Sequence, residues 1–332
     1  MRKAEVVVVT GASAGVGRAA ARAFARRGAY IGLIARNPEA LEAAKADVEM
    51  LGGKAIVCVA DVSHSDQVEA AASAVEAQFG PIDIWVNNAM VTIVSPVKAL
   101  QPEEVKHVTE VTYLGTVYGT LAALKRMLPR NRGAIVQVGS ALAYRSIPLQ
   151  APYCGSKFAI RGFTDSLRSE LLHDGSRVHL TMVQMPALNT PQFDWCKTRM
   201  PRQPQPVPPI YEPEVAARAI VWAAHHRRRE VWVGSSTLKA IWANRIAPGL
   251  LDRYLAATDY ISQQSDQPVA ADRADNFWAP VAGDHGAHGH FSAQSRASSP
   301  QLWLTAHRGW LAGAAVLALG VIGMRKLRKP DN

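Results

Sequence analysis

Along roughly the first 235 residues, short apolar runs alternate with alanine-rich or amphipathic stretches. The run Val6-Val7-Val8-Val9 is wholly β-branched and stops at Thr10-Gly11, which predicts a buried strand closed by a tight turn. Residues 18–27 are rich in Ala and Arg with Phe24 on one face, so a helix follows. A second apolar run at 30–35 ends at Arg36-Asn37-Pro38. Asn37 suits an N-cap and Pro38 the first helical position, so a second helix runs to about residue 50.

The alternation continues with strands at 55–60, 82–86, 134–138, 178–183 and 231–234. Between them the pattern predicts helices at 67–79, 102–127, from about 157 to 172, and 213–224. Strands that alternate with helices demand crossover connections. The prediction is therefore an α/β domain with a doubly wound, seven-stranded parallel sheet covered on both faces.

Beyond the last strand the pattern changes twice. An amphipathic segment around 241–255 extends the domain to about residue 258. Residues 259–300 are dominated by Ala, Ser, Gln, Asp, Gly and His without periodicity and read as a disordered linker. Residues 301–332 form a tail in which 310–324 carry no charge and are followed by the basic run Arg325-Lys326-Leu327-Arg328-Lys329.

Composition adds less. The net charge of +10 is concentrated in that basic run and in Arg227-Arg228-Arg229, so a nucleic-acid partner is not indicated. Cys58, Cys154 and Cys196 are far apart, which argues against a disulfide framework or a structural zinc site and for a reducing compartment. His225-His226 and the arginines after them fit a helix C-terminus, where cations oppose the dipole. His285, His288 and His290 fit a polar linker, and no metal site is expected.

The turn Thr10-Gly11-Ala12-Ser13-Ala14-Gly15-Val16-Gly17 lies between the first strand and its helix. There a dinucleotide phosphate meets backbone N–H groups and the positive end of the helix dipole, and a Cβ would hold the pyrophosphate away. Four further motifs follow in order: Asp61-Val62 after the third strand, Asn87-Asn88-Ala89 after the fourth, Ser140 after the fifth, and Tyr153 four residues before Lys157. Together they resemble the short-chain dehydrogenase/reductase family over about residues 4–235.

The resemblance implies a Rossmann-type fold, NAD(P)(H) binding and hydride transfer. It assigns Gly11, Ser13, Gly15, Val16, Gly17, Asp61, Val62, Asn88, Tyr153, Lys157 and Thr190 to the cofactor, and Ser140, Tyr153 and Lys157 to catalysis. Asp61 resembles the adenine-contacting Asp, Val62 lines that pocket, and Thr190 holds the position beside the nicotinamide carboxamide. Asn88 is expected to shape the turn and Asn87 to bracket strands. At the end of the second strand an acidic residue would bind the ribose 2′-hydroxyl, yet this chain has Ala35-Arg36. A guanidinium matches a phosphate, so NADP(H) is expected over NAD(H).

Carbonyl reduction needs a proton donor and a group that holds the oxygen as charge develops. Tyr153 is expected as general acid/base, Lys157 on the same helical face lowers its pKa, and Ser140 donates to the oxygen. Three positions depart from the family pattern: Met90 and Ala187 replace glycines, and Thr112 replaces a helix Asn with a shorter hydroxyl. They keep open a nucleotide-binding, membrane-associated scaffold without turnover.

The proline-rich stretch 191–213 reads as the substrate-covering loop, and Leu142, Tyr144, Ile147 and Trp195 as its apolar pocket. A small hydrophobic ketone, aldehyde or alcohol is the expected substrate. The uncharged stretch 310–324 is short for a span, about 22 Å against roughly 30 Å of hydrocarbon. With Trp303 and Trp310 at its edge, residues 302–329 are expected to make membrane contact. The basic end prefers the cytoplasmic side, where the NADP(H)-binding domain also belongs, so an interfacial helix is expected rather than a translocated span. Homo-oligomer formation is left open.

Overall fold

The computed structural model describes residues 4–309. Its sheet contains β1 (Val6–Thr10), β2 (Tyr30–Ala35), β3 (Lys54–Val59), β4 (Ile84–Asn87), β5 (Ala134–Ser140), β6 (His179–Met185) and β7 (Glu230–Trp232). They are hydrogen-bonded in the order β7-β6-β5-β4-β1-β2-β3, and every pair is parallel. The order reverses between β1 and β4, which opens a crevice at their C-terminal ends, the usual ligand position in such sheets.

The four valines of β1 show why this strand is central. Val7 and Val9 pack into the layer of α1 (Gly15–Ala25) and α2 (Pro38–Met50), Val6 and Val8 into that of α3 (Ser65–Phe79), and all four are fully buried. A strand covered on both faces needs this unbroken apolar run instead of an alternating one. Asn37 caps α2 as expected, its side chain accepting from the Ala40 N–H at 3.1 Å, with Pro38 at the first helical position.

The helix expected over 102–127 is interrupted. It consists of α4 (Pro102–Val108), a π-helical turn (Thr109–Leu114) and α5 (Gly115–Met127). Within the π-helical turn the Thr112 hydroxyl donates to Val91 O at 3.0 Å and receives the Val91 N–H at 3.2 Å. Thus Thr112 braces the loop after β4.

The remaining main helices are α6 (Ala151–His173), α7 (Pro213–His225), α8 (Ser235–Ile246) and α9 (Pro248–Ser262). The amphipathic extension is thus a helix pair. The proline-rich stretch crosses above the sheet's C-terminal edge and is tethered by Glu104. This carboxylate is 3% exposed and accepts from both terminal nitrogens of Arg199 at 2.8 Å and pairs with Lys197 at 3.1 Å. Burial opposes its ionised form, but Arg199, the Gln101 amide and Lys197 outweigh it and bring the pKa down to about 2.

Residues 259–300 correct the expectation of a disordered linker. Gln264–Pro268 pairs antiparallel with Arg202–Pro204, and Ser295–Arg296 pairs parallel with Ile210–Tyr211. Phe277, Ala287 and Phe291 are buried. The segment has no periodicity because it is held by scattered apolar plugs and by its own main-chain carbonyls, which a composition reading does not register. His288 and His290 pair with Glu214 at 3.0 Å and Asp194 at 2.7 Å. Leu302 is buried and Trp303 half-exposed, while residues 310–332, with the uncharged stretch and the basic run, lie outside the described residues. Among the described residues no helix is long and apolar enough to cross a membrane.

Asn87 ties three elements. Its amide donates to Thr120 Oγ1 at 3.0 Å and Gln137 Oε1 at 2.9 Å, and its oxygen receives Trp85 Nε1–H at 2.8 Å. Asn87→Ala, which removes these partners inside the core, is expected to lower unfolding free energy by about 1–3 kcal/mol in chemical denaturation. An unchanged midpoint and slope would refute its bracing role.

Candidate functional site

The glycine-rich turn is shaped by contact. Gly11 has φ +66°, and a Cβ on it would lie 2.9 Å from Ala89 Cα; one on Gly17 would lie 2.1 Å from Gly11 O. No side chain fits at either place. Asn88 locks the turn from the β4 side, its Nδ2 donating to Thr10 O at 3.0 Å and Gly11 O at 3.3 Å. The Thr10 hydroxyl receives the N–H groups of Asn88 and Ala89 at 2.9 and 3.1 Å. Asn88 therefore ties the turn to the end of β4, and Gly17 serves packing between turn and α1.

Above the turn is a cavity of about 660 Å³. It is lined by Gly11, Ser13, Gly15, Val16, Arg36, Asp61, Val62, Asn88, Ser140, Tyr153, Lys157 and Thr190, so all but Gly17 of the residues expected at the cofactor and in catalysis meet there. The backbone amides at the start of α1, a cationic side chain beyond β2 and an apolar wall together fit a dinucleotide once the Gly15 N–H exchanges its bond to Gly286 O for a phosphate.

At the other end stand the reacting groups. Ser140 closes β5, and its oxygen receives the Leu142 N–H at 3.1 Å, fixing the hydroxyl beside the next turn. The i to i+4 spacing in α6 puts Tyr153 and Lys157 on one face. Lys157 is 3% exposed and donates to Val138 O at 2.7 Å, with Nζ 5.4 Å from the Tyr153 ring centre. Burial of this ammonium among few acceptors lowers its pKa to about 8. Against the expectation that Lys157 lowers it, the Tyr153 phenol is driven well above its ordinary value by burial, offset in part by the Ser140 hydroxyl.

The substrate side differs in part from expectation. Leu142, Ile147 and Trp195 line the cavity, as do Met90 and Ala187. Tyr144 does not. Its ring lies under Arg161 at 3.9 Å and its hydroxyl donates to Glu230, so it is turned into the packing of β7 instead of the pocket. In its place Leu251, Tyr254 and Leu255 of α9 contribute apolar surface, and Arg145 and Asp259 add charge. The amphipathic pattern around 241–255 was the signal for the α9 residues. Asn276, Pro280, Val281 and His285 also line the cavity, from a segment in which no pattern marks a site.

Comparison with known proteins agrees with this geometry. The family described as short chain dehydrogenase matches residues 5–197. The Bacillus subtilis (strain 168) protein named "Uncharacterized oxidoreductase YxnA" is 34% identical over 268 residues, covering 80% of this chain and 75% of its own length. Human estradiol 17-beta-dehydrogenase 11 is 32% identical over 253 residues, with 76% and 81% covered. Among solved structures, an alcohol dehydrogenase from Thermococcus sibiricus in complex with 5-hydroxy-NADP superposes with a TM-score of 0.59 at 26% identity, covering 69% of this chain and 95% of its own. A metagenomic short-chain oxidoreductase in complex with NADP gives a TM-score of 0.58 at 29% identity over 69% and 96% of the two chains. With its Rossmann-type parallel sheet and the Ser140, Tyr153 and Lys157 constellation beside a glycine-rich turn, the chain belongs to the short-chain dehydrogenase/reductase family of oxidoreductases.

Proposed function

We propose that the protein interconverts an apolar ketone or aldehyde and its alcohol with NADP(H), Tyr153 acting as general acid/base. The observation that carries this reading is the convergence of Ser140, Tyr153 and Lys157 on the cavity that begins at the glycine-rich turn. The nicotinamide cofactor supplies or accepts the hydride when bound. In reduction, the phenolic proton of Tyr153 moves to the substrate oxygen, and the Ser140 hydroxyl donates to that oxygen while its negative charge grows. The buried Lys157 ammonium stabilises the tyrosinate left behind. Arg36 favours the 2′-phosphate, in line with two structural relatives solved with NADP-type ligands. The aliphatic and aromatic walls from Leu142, Ile147, Trp195, Leu251 and Leu255 support an apolar substrate. The sequence of the tail supports membrane contact through 302–329.

Tyr153→Phe is expected to abolish turnover of an apolar carbonyl panel while NADPH affinity stays within a few fold, since only the transferable proton is lost. Comparable turnover by the variant would refute the assignment. For Arg36→Ala, equilibrium titration should find NADPH weakened much more than NADH; parallel loss would make Arg36 structural.

The pH dependence has a definite sign. Lys157 is cationic below about 8 and neutral above it. Hence kcat/KM for the cofactor, which reports groups of the free enzyme, should be level in mildly acidic buffer and fall as pH rises through that value. A profile that rises there contradicts the role given to the ammonium.

For the tail, the full chain should co-float with vesicles containing anionic lipid and be released by high salt, each basic residue adding roughly 1 kcal/mol of screened attraction. Failure to float removes the membrane proposal, and release only by detergent favours a span.

A further inference from the structure

After α9 the chain returns over the cofactor end of the cavity, and residues 276–286 form a strap across it. The strap's acceptors fall on the donors that a phosphorylated nucleotide needs. Arg36 Nη2 donates to Asn276 O at 2.6 Å, and Nη1 to Trp278 O at 3.1 Å and Phe277 O at 3.4 Å. Asn37 Nδ2 donates to Val281 O at 2.8 Å and Gly283 O at 3.2 Å. At the glycine-rich turn the Gly15 N–H donates to Gly286 O at 3.1 Å. The Asp284 carboxylate pairs with Arg18 in the first turns of α1.

The strap is anchored apart from these contacts. Phe277 is fully buried in the same apolar cluster as Val62 and Val111, and its carbonyl is 2.7 Å from His107 Nε2. Because Pro280, Val281 and His285 line the cavity instead of filling it, the docked strap leaves room beneath. What it takes is the Gly15 N–H, which the pyrophosphate of either cofactor needs, and at the other end the guanidinium fork. A 2′-phosphate brought to Arg36 meets three carbonyl oxygens, with Asp61 Oδ2 a further 3.9 Å from Nη1. All of these are acceptors and none can donate to it. A 2′-hydroxyl has a proton to give to the same oxygens, so the docked strap suits it.

We propose that residues 276–278 of the strap set cofactor specificity: docked, they withhold Arg36 from the 2′-phosphate, so NADP(H) binding is coupled to their release, whereas either cofactor displaces Gly286 from the Gly15 N–H and NAD(H) displaces nothing more. This rests on the reading of Arg36 as the 2′-phosphate residue. The strap offers neutral carbonyls where the phosphate offers a charged acceptor, and charge-assisted bonds are the stronger, so the exchange is possible at the expense of affinity. The apparent NADPH dissociation constant is the intrinsic one divided by the fraction of chains with the strap released.

The test compares NADPH and NADH titrations of the full chain with those of Phe277→Ala, which loosens the anchor, and Asp284→Ala, which breaks the Arg18 pair without touching the core. Phe277→Ala is expected to tighten NADPH roughly tenfold and to change NADH by less than about threefold, whereas Asp284→Ala, at the Gly286 end, is expected to shift both cofactors alike. Weaker NADPH binding by Phe277→Ala, or an equal change for both cofactors in that variant, overturns the proposal, because the strap is then a roof that both cofactors share. Amide hydrogen exchange on the unmodified chain gives an independent readout. NADPH should speed exchange within 276–278 and NADH should not; protection by both would also overturn it. Arg36→Ala in the Phe277→Ala background separates the two readings. Selective loss of NADPH affinity there upholds Arg36 as the phosphate residue even where the strap fails, and no selective loss overturns both.

Discussion

The arrangement depends on one close approach, between the turn that leaves β1 and the start of α1. A Cβ at Gly17 would stand 2.1 Å from Gly11 O and 2.7 Å from Asn88 Nδ2. Without side chains at those positions the helix begins directly above the strand end, and its first amides face the crevice where the strand order reverses. Asn88 and Thr10 convert that proximity into hydrogen bonds from β4. Through them the cofactor turn and the loop that carries Met90 and Thr92 share one rigid frame, to which Thr112 adds a second brace at Val91.

Across the cavity the energetics run the other way. Turn and strands are stabilised by burial, whereas Lys157 is a cation held in the interior with the Val138 carbonyl as its acceptor. Such a group is costly to bury, and its lowered pKa is the expression of that cost. The same burial raises the Tyr153 phenol. Two groups pushed in opposite directions by one environment sit on one helical face, an arrangement of perturbed groups that marks a candidate site.

The C-terminal third modifies this inherited frame. Helix α9 supplies Leu251, Tyr254 and Leu255 in place of Tyr144 as walls of the cavity, and residues 276–286 reach the opposite end. The chain's own carbonyls are thereby brought to the Arg36 guanidinium, so the residue after β2 does not stand alone.

Much of this was legible in the sequence. Uninterrupted apolar runs such as 6–9 and the Asn37-Pro38 helix start depend on local propensity and burial, which the chain states directly. Tyr153 and Lys157 share a face because of helical geometry alone, and the glycine turn follows from what a phosphate can approach. Three features were decided only by tertiary contact. Thr112 ties the π-helical turn to Val91, a partner that the sequence does not place beside it. Tyr144 turns away from the pocket because Glu230 and Arg161 satisfy its hydroxyl and ring. Residues 276–286 are ordered by main-chain carbonyls donated to by Arg36, Asn37 and Gly15, and every residue type carries the same carbonyl. Side-chain periodicity reports burial on a regular element, so a segment fixed through its backbone leaves no trace in it.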